Sequence, residues 1–481
     1  MTVVKVSCRQ SRALQNLSRG PVSTLLSLYL QTIKEIQKKK ISPRTDESKG
    51  RAMQNLIQRA RSSSGSSSGD IQDSQSYNEV LAVLRQDLDA VSKSIEGSVG
   101  HIDWSQLFPT SLFYFLEAED ERKNPSWKRR MHRFCPGINI DEVNTLNNAL
   151  YLAELSYEKS IEVIKAGLEE SSEPFELVHV TIEGEPRKPA HFVALKKQQS
   201  IWSSALDIII VVRGTSTITD AITDCICEPV DYRGGKAHSG ILDSGKYLVQ
   251  THLPLLENLK KMSGKRSLNI TLIGHSLGAG AAAIAGMELQ DRPDIHVNVI
   301  GFGCPALLSE NLSKEVTSYM TTVIDDSDMV PRLSGATIGN LLLDIQEFDY
   351  VPSSRRDIVQ AFDELEHASP GTLPKSLVQR LMENVEYVFR SYVSPTIKPA
   401  SDERTEPVLF PPGRCVHFYR DGYGITGNIT PCTFFREIDL SRRMIDDHLI
   451  TPGYRQIFLD LMRQYHNDQQ FSFDESTNGS N

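Results

Sequence analysis

Thr271-Leu272-Ile273-Gly274-His275-Ser276-Leu277-Gly278-Ala279-Gly280 is an apolar run that closes on a glycine-flanked serine and passes into the alanine-rich stretch Ala279–Gly286. Such a sequence predicts a strand, a very tight turn and a helix, with Ser276 at the apex. Glycine is needed at 274 and 278, because a side chain at either place would strike the neighbouring strand or helix. The same turn strains the backbone of Ser276 and pushes its hydroxyl out over the edge of a sheet. A bare Gly-x-Ser-x-Gly arises readily by chance; the strand before it and the small-residue helix after it give this one meaning. A purely structural turn serine is the simpler reading. It gives way only if partners for the hydroxyl lie elsewhere in the chain.

The flanking sequence supplies the sheet. Ile208–Val212 is a continuous β-branched run, the mark of a strand buried on both faces. Asn269–Ile273 leads to Ser276, Val297–Gly301 and Met320–Ile324 follow, and Cys415–Tyr419 is the last strand expected. Leu177–Ile182 and His191–Lys196, split by Gly184-Glu185-Pro186, read as a hairpin. Helical patterns occupy Leu242–Leu259 and Leu277–Gln290. Ahead of them a cap at Asp141 predicts one long helix through Leu168, with Val143, Leu146, Leu150, Ala153, Tyr157, Ile161 and Ile164 on one face. Strand alternating with helix argues an α/β fold, a mostly parallel sheet flanked by helices.

This domain is expected over residues 101–466. Residues 340–408 interrupt it before the last strand as a proline-rich helical insertion, with helical patterns at Asp357–Leu365 and Leu377–Val393. Residues 1–100 read as a helical, low-complexity accessory region. Leu25, Leu26, Tyr29, Ile33 and Ile36 recur at helical spacing before Lys38-Lys39-Lys40, Arg61–Gly69 is a serine-rich linker, and Asn78–Ile95 is again helical in pattern. Residues 467–481 are polar and expected to form a disordered tail.

Composition narrows the function classes. With 481 residues, 39% hydrophobic and 23% charged, the chain has the make-up of a soluble globular protein of two or three units. A net charge of -9 leaves no cation excess for phosphates, so no nucleic-acid partner is expected. Seven scattered cysteines are neither even in number nor dense enough for a disulfide framework, which suits a reducing compartment. Cys225 and Cys227 stand without a second ligand pair, so no metal or cofactor is expected. No stretch reaches the roughly 20 apolar residues of a membrane span. Val22–Leu30, broken by Ser23, Thr24 and Ser27, does not read as a signal sequence. A cytoplasmic protein, soluble or peripheral at a membrane, is the expectation; oligomeric state has no legible pattern. The basic stretch Arg122–Arg133, around Trp127 and before Phe134, suits an anionic membrane interface or a solvated helix end equally.

A serine hydroxyl becomes a nucleophile only when a base takes its proton and a carboxylate holds that base in one tautomer. In the α/β-hydrolase order the partners follow as Ser, Asp, His, each on a loop after a later strand. Met320–Ile324 ends in Asp325-Asp326-Ser327-Asp328-Met329-Val330-Pro331-Arg332, so Asp325, Asp326 and Asp328 compete for the acid. Asp328, in the turn that Pro331 stiffens, is favoured. His448 follows the last expected strand, whereas His417 lies inside it and His238 and His367 precede it. His448 is thus the expected base, although Asp446 and Asp447 beside it also fit a surface histidine. Two donors must face the oxyanion. One is the backbone N–H of Leu277 at the helix N-terminus. The other is expected from Arg213-Gly214-Thr215-Ser216 after Ile208–Val212, with Thr215 the candidate and a plain β-turn the alternative.

With these residues placed, the chain resembles the class 3 lipases of the α/β-hydrolase superfamily, and most of all the sn-1-specific diacylglycerol lipases. Val211–Asp224 resembles the family's oxyanion strand and lid-side loop, and Ala237-His238-Ser239-Gly240 its H-x-G turn. Gly274–Gly280 resembles its nucleophile elbow, and Asp328-Met329-Val330-Pro331-Arg332-Leu333 is similar to its acid motif, which again favours Asp328. Phe410-Pro411-Pro412-Gly413 and Ile445-Asp446-Asp447-His448 resemble the diacylglycerol-lipase ending. The resemblance implies a serine lipase that hydrolyses acyl esters of di- or monoacylglycerols through Ser276, Asp328 and His448. A glycerolipid substrate and a membrane or lipid-droplet surface would be its partners. Asp220–Cys227, or part of 340–408, is expected to cover an apolar acyl groove. A soluble short-chain carboxylesterase and a non-catalytic signalling scaffold are the competing readings.

Overall fold

A computed structural model describes residues 109–123, 126–199, 202–215, 225, 229–353, 355–356, 359–360, 383, 406–441 and 443–478. The expectations for residues 1–100, for His367, for nearly all of Asp220–Cys227 and for most of the two helical patterns of the insertion lie outside the described residues. The chain divides into two compact units: Met1–Val80, Ile102–Glu121 and Leu342–Asp402 form one, and Leu81–His101, Arg122–Leu341 and Glu403–Asn481 the other. In the first, Tyr114 stacks on Tyr350 and Phe115 meets Phe348 edge-on.

In chain order the helices are α1 (Pro109–Arg122), α2 (Ser126–Met131), α3 (Ile140–Leu155), α4 (Ile161–Glu170), α5 (Ser239–Ser263), α6 (Leu277–Gln290), α7 (Glu310–Glu315), α8 (Gly335–Glu347) and α9 (Arg455–Asn478). The strands are β1 (Phe175–Thr181), β2 (His191–Lys196), β3 (Ala205–Val212), β4 (Pro229–Tyr232), β5 (Gly235–His238), β6 (Ser267–His275), β7 (Ile295–Phe302), β8 (Met320–Asp325), β9 (Arg414–Arg420) and β10 (Ile425–Thr430). Eight of them form one sheet in the order β1-β2-β3-β6-β7-β8-β9-β10, and β4 pairs with β5. The pairings from β3 to β9 are parallel; β1, β2 and β10 run antiparallel at the edges. This is the α/β-hydrolase arrangement that the sequence implies. Among the described residues no helix is long and apolar enough to cross a membrane.

The β-branched run of β3 serves two cores at once. Ile208, Ile210 and Val212 face one hydrophobic cluster with α5 and α6, while Ile209 and Val211 face the other with α3, α4 and α9. A strand with helices on both faces has no polar face to spare, which is why it reads as an unbroken apolar run. α6 is buried along almost its whole circumference, in keeping with its alanine-rich sequence.

Three elements differ from expectation. The long helix predicted from Asp141 to Leu168 is two helices. Asn139, not Asp141, caps α3 by accepting from the Glu142 N–H at 2.9 Å, and Ser160 caps α4. Ser156 ends α3, its hydroxyl bonding back to the Ala153 carbonyl at 2.6 Å, so two serines outweigh the apolar periodicity. Cys415–Tyr419 is not the last strand: β10 follows it, hidden in the sequence by Gly427 and Asn428, residues of poor strand propensity. And α9 continues to Asn478, through the polar tail expected to lack structure.

Candidate active site

The elbow at the end of β6 is as tight as its sequence demands. Ser276 sits at φ 56° and ψ −132°, a conformation L-residues rarely adopt. A Cβ at Gly274 would lie 2.5 Å from the Gly278 backbone, and one at Gly278 would lie 2.4 Å from the Val212 carbonyl oxygen. Only glycine lets β6, β3 and the start of α6 meet this closely.

Three side chains distant in sequence converge here. His448 Nε2 lies 2.9 Å from Ser276 Oγ, and His448 Nδ1 lies 2.9 Å and 3.1 Å from the two Asp328 oxygens. Because a carboxylate only accepts, Nδ1 carries the proton and Nε2 presents a lone pair to the serine hydroxyl. All three residues are buried. Asp328 is held by two further donors, the Val330 backbone N–H at 2.9 Å on Oδ1 and the Tyr454 hydroxyl at 2.6 Å on Oδ2. Gly303, at φ 58°, gives the pair room, since a Cβ there would lie 2.8 Å from Asp328 and 2.9 Å from His448.

The rival candidates are engaged elsewhere. Asp326 pairs with Lys128 and, at 3.1 Å, with Arg420. Burial, and then the charge of Asp447, push the Asp325 carboxyl well above the usual range. Its nearest cation is Arg420 at 3.5 Å. A carboxyl held neutral is a poor stabiliser of an imidazolium. Asp447, beside His448, faces Arg443 at 3.1 Å, and burial with Asp326 nearby lifts it to about 7. His417 spans His132 at 2.9 Å and the Asp326 carbonyl at 2.7 Å. His238 caps α5 through the Ile241 N–H.

Of the expected oxyanion donors, Leu277 is the first residue of α6, where backbone N–H groups have no partner within the helix. Thr215 follows β3 on a loop that runs across the elbow: a Cβ on Gly214 would lie 2.9 Å from Ser276 Cβ and 2.6 Å from the His275 carbonyl oxygen. The loop and the Ser276 elbow are therefore in contact.

Residues 209–338 match the family model for lipase (class 3). Over this stretch, from β3 into α8, the chain is similar to the class 3 lipases. Its relatives include human (Homo sapiens) diacylglycerol lipase-alpha, 24% identical over 304 residues that make up 59% of this chain and 26% of that protein. A lipase of Rhizomucor miehei is 31% identical over 147 residues, 28% of this chain and 39% of that protein. The match thus spans about a quarter of the length of diacylglycerol lipase-alpha. Among solved structures, the triacylglyceride lipase of Rhizomucor miehei aligns with 41% of this chain and 76% of its own at 24% identity and a TM-score of 0.34.

Two residues of this site escape a sequence reading. His275 Nε2 lies 2.8 Å from the His448 carbonyl oxygen and Nδ1 2.7 Å from the Tyr157 hydroxyl. The carbonyl can only accept, so Nε2 carries the proton and Tyr157 donates to Nδ1. Burial, and then the neighbouring His448, hold His275 down at about 3, which keeps this ring neutral. Tyr157 also accepts from the Gly214 N–H, tying the loop that carries Thr215 to His275, the residue before Ser276. The break between α3 and α4 is what frees Tyr157 to point inward. Tyr157→Phe removes both bonds and leaves the ring. We expect kcat to fall about tenfold, with KM little changed, because a lost bond of this kind is worth roughly 1 to 1.5 kcal/mol. Steady-state kinetics beside a thermal melt checks this, and an unchanged kcat would mean the loop is positioned by other contacts.

Proposed function

We propose that this chain is a serine lipase hydrolysing acyl esters of di- or monoacylglycerols at a lipid surface. The observation that carries the reading is the hydrogen-bonded relay Ser276–His448–Asp328, with its serine strained on a strand-to-helix elbow. In the reaction, Ser276 Oγ attacks the acyl carbonyl while its proton passes to His448 Nε2. The imidazolium so formed is stabilised by Asp328. The carbonyl oxygen, now an anion, is held by the Leu277 N–H and by Thr215. When the tetrahedral adduct collapses, His448 returns the proton to the leaving glycerol oxygen. Water, deprotonated by the same imidazole, then attacks the acyl-serine and releases the fatty acid. The similarity to diacylglycerol lipase-alpha and to fungal lipases supports the choice of glycerolipid.

The basic stretch before residue 134 contributes less charge to a surface than its sequence suggests. Lys123 and Lys128 pair with Asp439 at 2.8 Å and 3.2 Å. Arg129 and Arg133 lie over the rings of Tyr423 and Phe134, which are 84% and 91% exposed. Cation and exposed ring together suit a headgroup layer.

The test has two arms. An alkyl fluorophosphonate should label the purified chain once, at Ser276, by peptide mass spectrometry. Hydrolysis should favour emulsified diacylglycerol over a monomeric short-chain ester. Turnover confined to the monomeric ester would make this a soluble carboxylesterase. Absence of any label on Ser276 would overturn the serine mechanism and favour a scaffold.

A further inference from the structure

Far from the elbow in sequence, three histidines meet: His179 on β1, His191 opening β2 and His252 on α5. One ring nitrogen from each lies within 4.8 Å of the others. The ring centroids stand 4.7, 4.9 and 5.7 Å apart. His191 and His252 are buried and His179 is half-buried.

The backbone aims them together. Along β2, Val193 faces the core shared with α5, and Phe192 faces the opposite one. Two-residue alternation places His191 on the Val193 side. β1 would present position 179 to the wrong face, but the β1–β2 register slips by one between Leu177 and His179. That bulge pairs His179 with Val193 and so turns it toward α5. Leu248 and Leu256, one turn either side of His252, lie in the same core.

The donor chemistry is that of a metal ligand set. His191 Nδ1 lies 2.7 Å from the Pro189 carbonyl oxygen, an acceptor only, so Nδ1 carries the proton and Nε2 holds a lone pair. That lone pair points at His252 Nε2, 2.5 Å away. A carbonyl partner that fixes tautomer and ring orientation is the usual support of a metal-bound histidine.

We propose that His179, His191 and His252 form a site for a divalent transition metal, Zn²⁺ first, with water as the fourth ligand on the half-buried His179 side. Three imidazoles suit this borderline cation, and Zn–N bonds of about 2.0–2.1 Å place tetrahedral ligand nitrogens roughly 3.3 Å apart. Binding requires His191 and His252 to part by under about 1 Å and His252 to shift its proton to Nδ1. The metal would pin the edge hairpin β1–β2 onto α5. His191 pairs with Val212, and the next residue, Arg213, donates its N–H to Ala190 at 2.9 Å, so the pinned strand borders the loop that carries Thr215.

The experiment uses full-length chain purified without a histidine tag and stripped with dipicolinate. Titration with Co²⁺ should give one ion per chain and the visible absorption of four-coordinate cobalt, bleached by Zn²⁺. His179→Gln should weaken binding at least tenfold and abolish the band, whereas His296→Gln, at an exposed position of β7, should leave both intact. Zn²⁺ at about 100 times Kd should raise Tm by roughly 5 °C in the wild type and not in His179→Gln. Should that variant fail to fold, X-ray absorption of the Zn²⁺-loaded wild type should still show three imidazoles. A stoichiometry near zero, a purely octahedral cobalt spectrum, or equal binding by His179→Gln would make this a metal-free hydrogen-bonded cluster and end the proposal.

Discussion

Ser276→Ala is expected to lower turnover of emulsified diacylglycerol by about 10⁶-fold, with His448→Ala causing a loss of the same order and the double variant scarcely worse. The equality follows from geometry. One proton on one 2.9 Å line joins Ser276 Oγ to His448 Nε2, so neither group activates anything without the other. Alanine keeps the Cβ and meets the same backbone conformation at φ 56°, so the elbow should survive and melting should change little. What remains is the oxyanion pocket and substrate binding, which sustain roughly 10³–10⁴-fold over water on their own. The measurement is kcat normalised to folded protein, with phosphonate titration to exclude wild-type contamination. A Ser276→Ala enzyme within tenfold of wild type would show that the serine is not the nucleophile.

The sequence is most legible where chemistry and backbone impose the same residue. Gly274 and Gly278 are legible because two strands and a helix leave no space for a Cβ, and β3 because a strand covered on both faces cannot alternate. Ser276, Asp328 and His448 were reachable by order along the chain, since parallel strands deliver their loops to one sheet edge. What stayed hidden depends on tertiary partners. Tyr157 falls on the apolar face of one predicted helix, and only the serines at 156 and 160 hint that the helix breaks to release it. Gly303 answers to His448 and Asp328, residues 145 and 25 positions away, which no local pattern records. The histidines at 179, 191 and 252 are brought together by a one-residue slip in register, and a bulge has no signature in their spacing.

The Asp328→Asn variant is expected to lose about 10²–10³-fold in kcat, clearly less than the roughly 10⁴-fold expected of Asp328→Ala. The difference rests on which way the new amide turns. Val330 N–H and His448 Nδ1–H both need an acceptor at Oδ1, each at 2.9 Å. Tyr454, on the other oxygen, is adaptable: its hydroxyl lies 3.2 Å from the Val323 carbonyl and can donate there while accepting from the amide. The asparagine therefore presents its oxygen to His448, and the imidazole keeps the tautomer that can take the serine proton. Only the negative charge is lost. At about 4.5 Å and an effective dielectric near 20, that charge is worth roughly 3 to 4 kcal/mol to the imidazolium, which sets the expected loss. If Tyr454 is what permits this orientation, Tyr454→Phe in the Asp328→Asn background should cost more than it does in the wild type, because the amide N–H is left without an acceptor. Equal losses for Asp328→Asn and Asp328→Ala would mean the amide turns its nitrogen to His448, with Tyr454 holding the acid but not orienting it.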